Sequence, residues 1–230
     1  MRVNPLDGPY CLADIAAVAP AAPKGLVVPK ANNAAELVQI SHMLDLLEAQ
    51  HVLPAGRIVI LPVATKTSPA VFNLGSYSKD TPRLRGITWG AEDLGAAVGA
   101  STNLEASGQW TSPYVLVRSL CLFAAHASGV QAIDTVMADF KNLAGLEQVC
   151  NDARRDGFTG KICIHPAQVE VINRAFTPSE AEVAHARAVL AAFAANPDAG
   201  TLQLDGKMID KPHQVQAERI VAMAARLAGR

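Results

Sequence analysis

Short, almost uninterrupted apolar runs alternate with helical patterns along most of this 230-residue chain, and that alternation restricts its fold more than any other property. The runs are Gly25–Val28, Ile58–Val63, Leu84–Trp89, Ala132–Thr135 and Lys161–Ile164. Around and between them lie helical patterns at Leu12–Val18, Ala34–Glu48, Tyr114–Ala127, Leu143–Arg155, Ala167–Arg174 and Ser179–Ala194. Strands separated by helices imply βαβ units and a parallel sheet. The runs, IVILPV among them, do not alternate with polar residues, so both sheet faces are expected to be covered.

The segment Gly157–Phe193 places His165-Pro166 where a strand runs out, with Pro166 suited to the first turn of the next helix. Ser179 with Glu182 three residues on is a capping box. Asn196-Pro-Asp-Ala-Gly200 breaks the chain. Beyond it, Asp205-Gly206 between two β-type runs signals a two-residue hairpin, and Val215–Leu227 reads as a final amphipathic helix. The expected division is therefore a domain over 1–195 and an extension over 196–230. If Met1–Asn4 is a strand, six barrel-type strands are present, two short of a closed (β/α)₈ wall. The open edges favour a homo-oligomer.

Half of the residues are hydrophobic and 18% are charged, enough for a substantial core. A net charge of −1 with scattered Lys and Arg gives no basic stripe, so nucleic acid is not expected as a partner. No apolar run approaches the ~20 residues of a membrane span, and Met1-Arg2-Val3-Asn4-Pro5 lacks a signal-peptide core. A soluble, cytoplasmic protein without membrane contacts is expected. Cys11, Cys121, Cys150 and Cys163 lie far apart in apolar segments and read as buried reduced thiols.

Several residues fall at strand ends, where barrel folds concentrate function. Asp93 follows Leu84–Trp89, and it equally suits the first turn of a helix. Lys30 ends Val27-Val28-Pro29-Lys30 and Asp134 ends Ala132–Thr135; each is a mouth residue or a structural ion-pair partner. His165 stands near a potential ligand or fixes its turn through a backbone hydrogen bond. Asp210, before Lys211-Pro212, is a natural helix N-cap.

Together, Gly157–Phe193, GITWGAEDLG (Gly86–Gly95) and LQLDGKMIDKPH (Leu202–His213) resemble the citrate lyase β-subunit-like branch of the HpcH/HpaI aldolase family, from Arg2 to about Leu227. The resemblance implies a TIM barrel of the (β/α)₈ type lacking its first two βα units, followed by a C-terminal hairpin and helix. It implies a coenzyme A ester lyase that cleaves a carbon–carbon bond of an acyl-CoA substrate, a 3-hydroxyacyl-CoA such as citryl-, citramalyl- or malyl-CoA, to acetyl-CoA and a keto acid. Within it, Asp93 is implied as a Mg²⁺ ligand, Arg2 as the group that holds a substrate carboxylate, and Asp210 as a catalytic acid or base. Lys30, Asp134 and His165 are substrate-binding candidates. Ala64-Thr65-Lys66-Thr67 stands where the family carries a ligating Glu in a motif of the type ATET. An ammonium offers a metal no lone pair, so Mg²⁺ binding is expected to be weakened or lost. Lys66 either impairs the site or pairs with Asp93 and supplies the charge itself. A catalytically silent binding or assembly homologue and an acyl-CoA thioesterase are the alternative functions.

Overall fold

The structure, a computed structural model, describes residues 1–228. It comprises two compact units, Met1–Ile172 and Asn173–Arg230. The division expected at 195/196 falls inside the second of them.

In the first unit, α1 (Cys11–Val18) precedes β1 (Gly25–Val28), α2 (Ala34–Gln50), β2 (Val59–Pro62), α3 (Ser68–Phe72), β3 (Gly86–Thr88) and α4 (Ala91–Val98). There follow α5 (Ser112–Ala127), β4 (Gln131–Asp134), α6 (Leu143–Asp156), β5 (Gly160–Lys161) and α7 (Pro166–Phe176), which crosses into the second unit. The strands pair in parallel and in chain order: β1 on β2, then β3, β4 and β5. Single bridges from Ile60 to Leu84 and from Val63 to Thr88 link β2 to the β3 side. The Met1–Asn4 segment contributes one parallel bridge, Arg2 to Val27, rather than a full strand. Among the described residues these pairings do not close into a barrel.

Leu26, Val28, Ile60, Ile87 and Ala132 are buried, as are Leu37, Ile40, Leu44, Val117, Cys121, Leu146 and Cys150 of the helices. The opposite sheet face is only half-covered. Val27, Val59, Leu61 and Ile133 help line a cavity of about 400 Å³, so burial alternates along β1 and β2 instead of being complete on both sides.

The strand expected over Lys161–Ile164 ends at Lys161. The Ile162 amide still donates to Asp134 O at 2.9 Å, but the Ile164 amide turns to the Gln168 side chain, and local turn bonding ends the ladder. Cys163 is consequently exposed, against expectation, whereas Cys11, Cys121 and Cys150 are buried.

In the second unit, Ser179 and Glu182 form the expected capping box of α8 (Glu180–Ala195). Next come β6 (Thr201–Leu204), β7 (Lys207–Asp210) and α9 (Lys211–Ala228). The hairpin pairs Leu204 with Lys207, with Asp205 at φ 49° and Gly206 at φ 77°, the left-handed geometry of a type I′ turn. Phe193, Val189, Ala186, Ile209 and Ala217 form this unit's core, so α8 packs with the hairpin and α9.

Candidate active site at the strand ends

The loops that leave β1, β2 and β3 are joined by backbone and side-chain bonds. The Ala64 amide donates to Thr88 O at 2.9 Å, and the Gly90 amide donates to Thr65 Oγ1 at 3.0 Å. These rungs carry the β2 and β3 strand ends forward in step. They bring Lys66, just beyond β2, to Asp93, in the first turn of α4: Nζ donates to Oδ2 at 2.6 Å. The Lys66 side chain is 17% exposed and that of Asp93 35%, so the pair sits at the lip of the sheet rather than in free solvent. The charge pairing raised by the residue types is thus formed.

A second chain of bonds ties in β1. Thr67 caps α3, its Oγ1 accepting the Ala70 amide, and the same hydroxyl donates to Asn32 Oδ1 at 2.5 Å. The Asn32 amide and side-chain Nδ2 both donate to the Glu36 carboxylate at 2.9 Å, and Glu36 lies in the first turn of α2. Tyr77 OH donates to Ala31 O beside them, its phenol pushed upward by burial and then by the nearby Glu36 charge. Asn32, Glu36, Thr65 and Thr67 were not singled out from the sequence. Asn33 with Glu36 three residues on does mark a helix start, yet nothing in the spacing reveals a link to Thr67.

Asp134 is buried at the end of β4. Its Oδ1 accepts from Trp89 Nε1 at 2.7 Å and from Arg118 Nε at 3.4 Å, while Oδ2 accepts from Lys161 Nζ at 3.1 Å. With both oxygens engaged, this carboxylate braces β3, β4, β5 and α5 from within. His165 is exposed and stacks on Phe140 with ring centroids 4.5 Å apart; its Nδ1 accepts the Ala167 amide at 3.2 Å, the turn-fixing bond considered above. Lys30 is exposed at the end of β1 with φ 55°. Arg2 is exposed, and its pairing with Val27 sets it on the sheet face that lines the cavity. Asp210 belongs to the second unit, directly before α9, where it pairs with His213.

Residues 1–166 match the family model for HpcH/HpaI aldolase/citrate lyase, and residues 110–228 match that for a carbon–carbon bond lyase of the TIM-barrel fold. The citrate lyase subunit beta-like protein of Mycobacterium tuberculosis is 32% identical over 213 residues, 92% of this chain and 70% of that protein. A (3S)-malyl-CoA thioesterase of Cereibacter sphaeroides is 31% identical over 230 residues, 99% of this chain and 74% of that protein. Among solved structures, CitE of M. tuberculosis in complex with magnesium, acetoacetate and coenzyme A superposes with a TM-score of 0.77 at 30% identity, covering 97% of this chain and 77% of the other.

Proposed function

The chain belongs to the HpcH/HpaI aldolase/citrate lyase family, a family of carbon–carbon lyases, and on that premise we propose that it cleaves a 3-hydroxyacyl-CoA of the citryl, citramalyl or malyl type to acetyl-CoA and a keto acid. The observation that carries this reading is the Lys66–Asp93 pair at adjacent strand ends, in a chain similar to a protein solved with acetoacetate and coenzyme A. The parallel run from Arg2 to Lys161 is read as the last six strands of a (β/α)₈ wall.

The M. tuberculosis relative also holds magnesium. The donor set here does not fit that ion. Of the two carboxylates that the resemblance implies for such a site, one position carries Lys66, and at the other Asp93 Oδ2 is held by Lys66 Nζ at 2.6 Å.

In the proposed chemistry the Arg2 guanidinium holds the substrate carboxylate by paired hydrogen bonds. An acidic group takes the hydroxyl proton, the role that the resemblance implies for Asp210. The lone pair left on oxygen forms the new C=O, and the electron pair of the breaking bond forms the C=C of an enolate whose charge lies on the thioester oxygen; the proton taken up by the base returns to the α carbon to give acetyl-CoA. Lys30 and His165 stand as contacts to the remainder of the substrate, and Asp134 as the buried brace beneath it.

The thioesterase alternative draws support from the C. sphaeroides relative. Incubation with citramalyl-, malyl- and citryl-CoA, followed by chromatography of the products, separates the readings. Acetyl-CoA and keto acid in equal amounts are expected. Free CoA would replace the lyase by a hydrolase, and turnover of none of the three would overturn both.

A further inference from the structure

We propose that Lys66 takes the place of a divalent cation here, its ammonium binding the keto oxygen of the substrate directly, so that this chain holds a 2-keto acid without any metal. The inference rests on the lyase reading and deepens it.

Three observations carry it. First, the Asp93 oxygen that would serve a cation is already bonded to Nζ at 2.6 Å. Mg²⁺ ligates carboxylate oxygen at about 2.0–2.1 Å, and a second cation on the same oxygen would face the ammonium's full charge.

Second, the lysine stem is built into the fold. A Cβ at Gly90 would lie 3.0 Å from Lys66 Cγ and 3.2 Å from Cε, so the bare glycine in the turn before α4 makes room for the stem. The bond from the Gly90 amide to Thr65 Oγ1 holds that turn against the residue preceding Lys66.

Third, an ammonium has three donors. Among the described residues Asp93 is the one hydrogen-bond partner of Lys66, which leaves two N–H groups for a ligand oxygen.

During cleavage the hydroxyl proton leaves to the base and the oxygen becomes a carbonyl. Lys66 stays protonated and donates to that oxygen throughout, while the carbon–carbon electron pair goes to the enolate. A fixed donor at this oxygen offsets the negative charge that builds there as its proton leaves and before the electron pair passes on to the enolate. No oxidant, reductant or co-reactant is required.

The test uses pyruvate as the probe, followed by calorimetry and ligand-observed NMR on the full chain, in EDTA and in excess Mg²⁺. Wild type is expected to bind pyruvate equally in both. Lys66→Met should weaken binding about tenfold to a hundredfold, the span of one charge-assisted hydrogen bond. Gly90→Ala, which leaves every charge in place, should weaken it as well by displacing the stem. Circular dichroism melts confirm that each variant is folded. Lys66→Glu should bind pyruvate only with Mg²⁺. Wild-type binding that is absent in EDTA and restored by Mg²⁺ would overturn the proposal, as would undiminished binding by a folded Lys66→Met protein. Because binding is read apart from turnover, metal-free pyruvate binding without cleavage of any acyl-CoA would remove the lyase reading and leave the Lys66 assignment standing. Mg²⁺-dependent binding with active cleavage would do the reverse.

Discussion

Replacement of Glu48 by alanine should unfold the first unit more readily than exchange of the half-exposed Asp93 at the strand-end site. Glu48, near the end of α2, is 1% exposed and accepts four hydrogen bonds: from the Gly56 and Ile58 amides at 2.8 Å each, and from Arg83 Nη1 and Nη2 at 2.8 and 2.6 Å. Arg83 is itself buried, bonded also to Ser41 Oγ, Ile58 O and Asp45, and held at φ 60°. The pair therefore ties α2 to the segments entering β2 and β3. The Arg83 hydrogen bonds, outweighing burial, lower the Glu48 carboxyl from 4.5 to about 2. At about 1.4 kcal/mol per tenfold change in acidity, this corresponds to about 3 kcal/mol. Breaking one side of a buried pair costs about 3–5 kcal/mol, and for a chain of this size each kcal/mol lowers Tm by about 2–4 °C, so Glu48→Ala should melt roughly 6–20 °C below wild type at pH 7.

The pH dependence of that difference has a fixed sign. The folded carboxyl is more acidic than the unfolded one, so its contribution is complete above about pH 4.5 and is lost as pH falls toward 2. Thermal melts by circular dichroism from pH 7 to pH 3 check both. The Tm gap should hold down to about pH 5 and narrow below it. A gap of under about 2 °C at pH 7, or one that widens in acid, would refute the reasoning.

Two further outcomes are expected. Gly206→Val should destabilise the second unit by about 1–2 kcal/mol in urea, because position 206 holds φ 77° and a β-branched residue is strained there; an unchanged midpoint would show that the hairpin relaxes into another turn. Of the four thiols, Cys163 should react first with a disulfide reagent, being exposed, whereas burial pushes the Cys150 thiol up to about 11 and Cys121 higher still; simultaneous reaction of all four in folded protein would contradict this burial.

What could be read from the sequence follows the range of the interaction responsible. The bounds of β1, the capping box at Ser179 and the Asp205-Gly206 turn depend on residues within a few positions of one another, and they agree with expectation. The end of β5 did not follow its apolar pattern, because the Gln168 side chain, four residues beyond Ile164, competes for the backbone. Asp134 was ambiguous because its partners Trp89, Arg118 and Lys161 come from three other elements. The chain from Glu36 through Asn32 to Thr67 was not legible at all, since it exists only when the loops after β1 and β2 are stacked. A Lys66–Asp93 pair was one of two expectations for these positions, and the rung between β2 and β3 explains why the two side chains meet.

That rung bears on how such a site changes over time. The bonds from the Ala64 amide to Thr88 O and from the Gly90 amide to Thr65 Oγ1 involve neither the Lys66 nor the Asp93 side chain. The spacing of the two positions is inherited from the sheet, not from the charges it displays. Chemistry at positions 66 and 93 is in that sense modular: lineages can exchange an acidic group for a basic one at the lip while the scaffold beneath keeps its stability and its alignment.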